Sequence, residues 1–233
     1  MAIDAILAMT AAEIRANTAL PPRIGWFSCH FSPCGTGLSN LPDSLPPGSL
    51  LILNDFVPIH GHDPDRIIRQ LKESTEKQKC EALLLDFQRE SGDTAALARA
   101  IVDALPCPVG VSELYARDLD CPVFLSPVPP DVPPVEYLKP WRDREIWLDA
   151  ALEGMEISLT SKGAATAPLP PYEIPAWKHW DKTLHCHYSI DLTEAQARFT
   201  LFRTEDDLNA LLEEAKALGV TRAIGLWQEL GGI

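Results

Sequence analysis

The sequence predicts an α/β fold, a (β/α)8 TIM-barrel-like domain in which hairpins and proline-rich loops replace some helices. Three observations point there. Short, fully apolar runs recur along the chain, the pattern of strands buried on both faces of a parallel sheet. Amphipathic helical segments separate several of them, in the β-α-β rhythm of a sheet with its helices outside. About eight such runs can be counted, the number that closes a barrel. An open doubly wound sheet is the second choice, because the glycine-rich turn of a dinucleotide fold is missing. A chain of 233 residues, 46% hydrophobic, suits one barrel domain over residues 1–233.

Residues 1–20 carry Ile3, Ile6, Leu7 and Ile14 at roughly helical spacing and are expected to form an amphipathic helix packed on the barrel. Residues 24–27 (IGWF) and 50–54 (LLILN) are the first two strands, the second ending at Asp55. Asp63-Pro64 opens a helix through Ile67, Ile68 and Leu71, since aspartate caps first-turn N–H groups and proline is tolerated at the first helical position. Residues 82–86 form the third strand, and Asp93 caps a helix running to Ala104. Residues 109–112 (VGVS) and 123–126 (VFLS) are two more strands. The prolines of residues 122–140 then predict a long, stiff loop without helix. Residues 145–150 and 155–160 read as one antiparallel hairpin. After a second proline-rich loop, residues 184–190 and 197–202 read as another. Thr204 caps a helix to Leu218, stopped by Gly219, and residues 223–227 (AIGLW) are the last strand.

The formal net charge of -13 argues against nucleic acid or an anionic membrane surface as partner, because both need a basic footprint. No apolar stretch approaches the roughly 18 residues of a membrane span. The N-terminus lacks the basic and apolar regions of a signal peptide. The six cysteines form no CxxC pair and read as reduced, mostly buried thiols. The expected compartment is therefore the cytoplasm.

The candidate chemistry centres on residues 81–90, EALLLDFQRE. Barrels of this kind keep their reactive groups where strands end. Asp86 and Gln88 are two apart on a strand and point the same way, into the barrel interior or mouth, while Phe87 points outward to the helices. Glu90 lies beyond, on the loop. An acceptor beside an amide suits hydrogen bonding to a sugar hydroxyl or N-acetyl group. The plainer alternative is that the two satisfy each other, with Ser112 or Tyr188, as buried polar groups must.

Two stretches make the chain similar to the family-18 glycoside hydrolases, the chitinases and their relatives. That family's fourth barrel strand carries D-x-x-D-x-D-x-E. Glu81, Leu84, Asp86 and Gln88 fall on its four marked positions, with Asp86 matching and Gln88 standing where the family has its catalytic glutamate. The second stretch, GLWQELG at 225–231, resembles the end of the family's last strand, where Trp227 would form the floor of the sugar site. Residues 24–27 fit the first strand loosely. The resemblance implies a small glycan ligand and no cofactor. It also implies weak hydrolysis, because an amide cannot protonate a glycosidic oxygen.

Trp26, Tyr188 and Trp227 offer aromatic faces for a sugar, with core filling as the alternative for both tryptophans. Trp177 and Trp180 in the second proline-rich loop would form a lid or an anchor. Glu113, Asp149 and Glu229 are further acids near predicted strand ends, any of which would serve in place of Gln88 if it reached the same spot. An active hydrolase would then use these acids or Glu90. It could otherwise use a metal held by His60, His62, His185 and His187 with Asp55 or Asp86, a common spacing that ordinary strand and capping histidines share. Cys186, between two histidines, should point away from both and is no nucleophile. A last alternative is a non-enzymatic module whose proline-rich loops hold a protein.

Overall fold

The computed structural model describes residues 3–59, 61–169 and 179–230. Eight parallel strands close into a barrel: β1 (Asp4–Met9), β2 (Gly25–Phe31), β4 (Leu50–Asn54), β5 (Ala82–Asp86), β6 (Val109–Ser112), β7 (Val123–Leu125), β8 (Ile146–Asp149) and β14 (Val220–Leu226). Each pairs with the next, and β1 closes the ring by pairing with both β2 and β14. The two-residue β3 (Leu38–Ser39) is an antiparallel addition to β2 outside the ring. Helices α2 (Pro64–Gln78), α3 (Gly92–Ala104) and α6 (Glu205–Ala217) are the long outer ones. The short ones are α1 (Ala11–Ala16), α4 (Glu113–Ala116), α5 (Pro134–Leu138) and α7 (Trp227–Leu230).

Alternation along each strand explains the unbroken apolar runs. Ile6, Ala8, Leu50, Ile52, Ala82, Leu84, Phe124, Trp147 and Ile224 fill the lumen. Their neighbours Leu51, Leu53, Leu83 and Leu85 face outward, against Ile67 and Leu71 of α2 and Leu97 and Ile101 of α3. The fully buried Trp147 takes up so much of the lumen that β6 needs a glycine beside it. A Cβ on Gly110 would lie 2.3 Å from the Trp147 ring. At the N-terminal end, the Arg222 guanidinium sits 4.6 Å from the same ring and binds Asp4 and Glu81, which Arg23 also binds. Glu81 thus closes the bottom of the barrel, at the opposite end of β5 from Asp86.

A second, antiparallel sheet lies between β8 and α6 in the chain. Its strands β9 (Gly154–Thr160), β10 (Gly163–Pro168), β11 (His179–Asp181), β12 (Cys186–Leu192) and β13 (Gln196–Phe202) take the order β10-β9-β13-β12-β11. Arg203, 4% exposed, ties this sheet to the proline-rich loop after β7. Its guanidinium donates to the carbonyls of Val128, Pro129, Leu184 and His185.

Several expectations hold. Asp63 caps α2 with Pro64 at its start, Thr204 caps α6 in a capping box with Asp207, and β12 and β13 form the expected hairpin. Others are corrected. The helix expected over 1–20 is instead the barrel strand β1 followed by the short α1. Ile6 faces the lumen and Leu7 the outer layer, a two-sided burial that mimics helical spacing. Residues 24–27 therefore belong to the second strand of the ring, not the first. The stretches at 145–150 and 155–160 do not pair: β8 joins the barrel, between β7 and β14, while β9 starts the second sheet. Ser91, not Asp93, precedes α3 as its cap residue. The first proline-rich stretch does contain helix, because Pro134 occupies the first position of α5, where no N–H is needed. The cysteines are all free, but only Cys29 and Cys186 are buried.

Candidate functional site

The mouth at the C-terminal ends of the strands is built around Asp86. Since β1, β2, β4 and β5 follow one another round the ring, β5 is the fourth barrel strand and β14 the eighth. Phe87 turns outward into the helix layer, and Asp86 faces in. The Gln88 amide donates to Asp86 Oδ1 at 2.6 Å. Ser112 serves the backbone instead, accepting from Phe87 N and donating to Leu85 O. The buried Asp55 carboxylate accepts the N–H groups of Gln88 and Arg89 at 2.8–3.1 Å and so fixes the turn that follows β5.

A β-bulge shapes the neighbouring strand. In the pairing of β2 with β4, Trp26 opposes Leu51 and Cys29 opposes Leu53, so Phe27 and Ser28 together oppose Ile52. Trp26 and Cys29 both face the outer layer, and Phe27 and Ser28 both turn to the mouth side. Bulges re-aim side chains in this way beside functional sites.

Two cavities meet at Phe27 and Asp86. One, of about 310 Å³, is the mouth itself, with Asp149, Glu153 and Glu229 around Ile52, Leu84, Phe124 and Ile224. The other, of about 500 Å³, extends over the ends of β2, β4 and β5, past Asn54, Phe56 and Gln88. A third hollow, of about 400 Å³, shares Ala151, Glu153 and Glu229 with the mouth and runs along β9 and β10. The result is a groove that crosses the barrel end.

Burial and crowded carboxylates raise the proton affinity of the mouth. Asp149 is pushed up to about 7, first by burial and then by Asp86, Glu229 and Glu153. Burial raises Asp86 as well, against the Gln88 hydrogen bond, with Asp55 adding to the rise. Burial also raises Glu153, with Arg203 opposing and Glu229 adding. Near neutral pH Asp149 is therefore partly protonated, a carboxyl able to donate a proton in the mouth that also holds the hydrogen-bonded acceptor Asp86.

Asp86, Gln88, Asp149 and Glu229 thus come together along the groove, while Glu90, Glu113 and the candidate aromatic residues stand elsewhere. Glu90 is exposed on the loop after β5, outside the lining of these cavities. Glu113 begins α4 and accepts from Ser126 Oγ at 3.2 Å. Trp26 is buried in the outer layer with Nε1 donating to Asn40 O at 2.7 Å. Trp227 opens α7 and packs on the outer core, so the lumen tryptophan is Trp147. Tyr188 lies on β12, its ring 5.1 Å from that of His179. His185 and His187 reach the α6 carboxylates Glu214 and Asp207, and His62 reaches Ser32 O. His60 lies outside the described residues. Among those described, no group of three or more His, Cys, Asp and Glu side chains is arranged to hold a metal. Trp180 lies on β11, not in a loop, and donates to Asp207 Oδ1 at 2.9 Å; Trp177 lies outside the described residues. Cys186 is buried, its thiol directed to Pro130 O and pushed up to about 11 by burial.

Sequence reasoning missed Glu153, Phe27 and Phe56. Glu153 falls in the turn of the hairpin that the sequence predicts over 145–160, and Phe27 is aimed by a bulge that local pattern does not reveal. Phe56 carried the one readable signal, an aromatic residue directly after the strand end at Asp55.

Fold and groove together define a (β/α)8 barrel with an acidic cleft at its C-terminal end and an added antiparallel sheet. No protein-family model matches the sequence, and no curated protein matches it either. Solved structures share the fold. The spore cortex-lytic enzyme SleL of Bacillus cereus matches with a TM-score of 0.57 and 12% identity, over 96% of this chain and 70% of that one. A Bacillus subtilis protein described as a sporulation-specific glycosylase, ydhD, gives 0.54 and 10%, over 86% and 90%. The C-terminal domain of a Desulfitobacterium hafniense protein described as a chitinase gives 0.54 and 9%, over 97% and 93%. These structures and this chain share the (β/α)8 barrel fold.

Proposed function

We propose that the groove binds a glycan, and that the amide at Gln88, in the place of the family-18 acid, leaves that family's hydrolytic route weak or absent. The observation that carries this reading is the hydrogen-bonded Asp86–Gln88 pair at the end of the fourth barrel strand, inside the groove. The fold neighbours support it, since their descriptions are of a cortex-lytic enzyme, a glycosylase and a chitinase domain. The free cysteines fit a reducing cytoplasm, where the ligand would be a sugar fragment. The test is calorimetric titration with β-linked N-acetylglucosamine oligomers. Saturable heat that disappears in Asp86→Ala supports the reading, and its absence in the unmodified protein rejects it.

The acid at Asp149 favours a second reading, in which the same site hydrolyses a glycosidic bond with Asp149 as proton donor. Hydrolysis that the unmodified protein performs and Asp149→Asn loses, with ligand binding kept, would establish it. Equal turnover in both proteins would reject it.

A further inference from the structure

The second sheet has two unlike edges. β11 is short and carries a charge at Asp181, two ordinary protections against unwanted strand pairing. β10, at the other edge, has no such protection before its last residue. It is six residues long, pairs with β9 in unbroken register, and is exposed throughout. Before Pro168 it carries only Gly, Ala and Thr.

The backbone groups that β10 leaves free follow from its pairing. Leu169 N donates to Gly154 O at 2.9 Å, so Leu169 and the alternate residues before it, Ala167, Ala165 and Gly163, turn their N–H and C=O groups toward β9. Ala164 and Thr166 turn theirs outward, where no described residue meets them. Outward residues on both sides of Ala165 make the edge self-complementary. A second copy related by a two-fold axis at Ala165 pairs Ala164 with the partner's Thr166, and Thr166 with the partner's Ala164, each pair exchanging both N–H···O bonds.

Charge also favours a copy of this chain. The net charge of -13 holds two copies apart over most of their surface, but the only charge in residues 161–168 is the cation Lys162. Its N–H donates to Thr160 Oγ1 at 3.2 Å, which fixes the turn that carries it. In the symmetric register, the partner's Lys162 comes opposite Pro168. That residue lines the third hollow together with Glu153 and Glu229. The pairing therefore brings a cation to the acidic end of the groove.

We infer that the β10 edge is a dimer interface, in which two copies pair antiparallel across Ala165 and each supplies Lys162 to the acidic hollow of the other. The interface does not depend on what the groove binds. The experiment is analytical ultracentrifugation of the whole protein across micromolar concentrations, with two variants. Thr166→Pro removes an N–H that faces away from β9, a place where an edge strand tolerates proline, and circular dichroism checks that the fold is kept. Lys162→Glu sets an acid against Glu153 and Glu229. The unmodified protein is expected to dimerise, and each variant to raise the dissociation constant about tenfold or more. A folded Thr166→Pro that dimerises as tightly as the unmodified protein overturns the interface. An unmodified protein that stays monomeric at every concentration overturns it too, and leaves the edge free for a strand of another protein.

Discussion

The Gln88 side-chain amide donates to Asp86 Oδ1 at 2.6 Å, across the end of the fourth barrel strand. The pair holds Asp86 as an acceptor and occupies one N–H of the amide. Gln88→Glu replaces that donor with a carboxyl group, and the two acids then share a proton, as adjacent carboxyls do. The variant should gain hydrolysis of N-acetylglucosamine oligomers over the unmodified protein, within the range of about 10² to 10⁴-fold that general acid catalysis supplies. Reducing-end release measures it. No gain in a variant that still binds ligand would weigh against a family-18 ancestry for this strand end.

Asp149 makes stability depend on pH. Its carboxyl is pushed up to about 7 in the fold, from an ordinary value of 3.8. Between these values the folded protein keeps a proton that the unfolded chain has lost, so stability falls as pH rises through this window and levels off above it. Asp149→Asn should flatten that slope and raise stability at pH 8. Urea unfolding at pH 5 and pH 8 reads both effects. An unchanged slope would show that Asp149 titrates normally.

Arg203 is the tie between the second sheet and the loop that borders the mouth. Its removal strands four carbonyls that now accept from it. Arg203→Ala should cost about 3 kcal/mol or more, from charged hydrogen bonds worth about 1.5–3 kcal/mol each that are partly redundant. Arg203→Lys should not restore the loss, because one ammonium cannot span the fork. Denaturant midpoints test both.

Gly110 makes room for Trp147. Gly110→Ala drives a methyl group into the indole, which is already fully buried, and should destabilise the barrel by about 1–3 kcal/mol through overpacking. A thermal midpoint equal to that of the unmodified protein would show that the lumen has slack.

The parts of the fold legible in the sequence are those whose signal is local. Asp63-Pro64 and Thr204 mark helix starts through their own hydrogen-bonding chemistry, and the run ending at Asp86 reads as a buried strand because both of its faces are apolar. Beyond the β12–β13 hairpin, pairing partners were not legible. β8 and β9 are neighbours in sequence yet lie in different sheets, and β1 reads as a helix because lumen and outer layer both demand apolar residues. The site was visible where it lies at or just past a strand end, at Asp86, Gln88 and Asp149. It was hidden where a bulge turns Phe27 inward, and where a connecting segment brings Glu153 to the mouth. The aromatic residues were the least legible. Trp26 falls in the outer layer by strand parity, Trp227 opens α7 after β14 has ended, and the lumen is filled by Trp147 instead.

The central claim, that the groove binds a glycan at Asp86, is tested most directly by calorimetric titration of the unmodified protein and of Asp86→Ala with N-acetylglucosamine hexamer. Saturable heat is expected in the first and none in the second. No heat in the unmodified protein at millimolar ligand, or equal heat in both proteins, would contradict it.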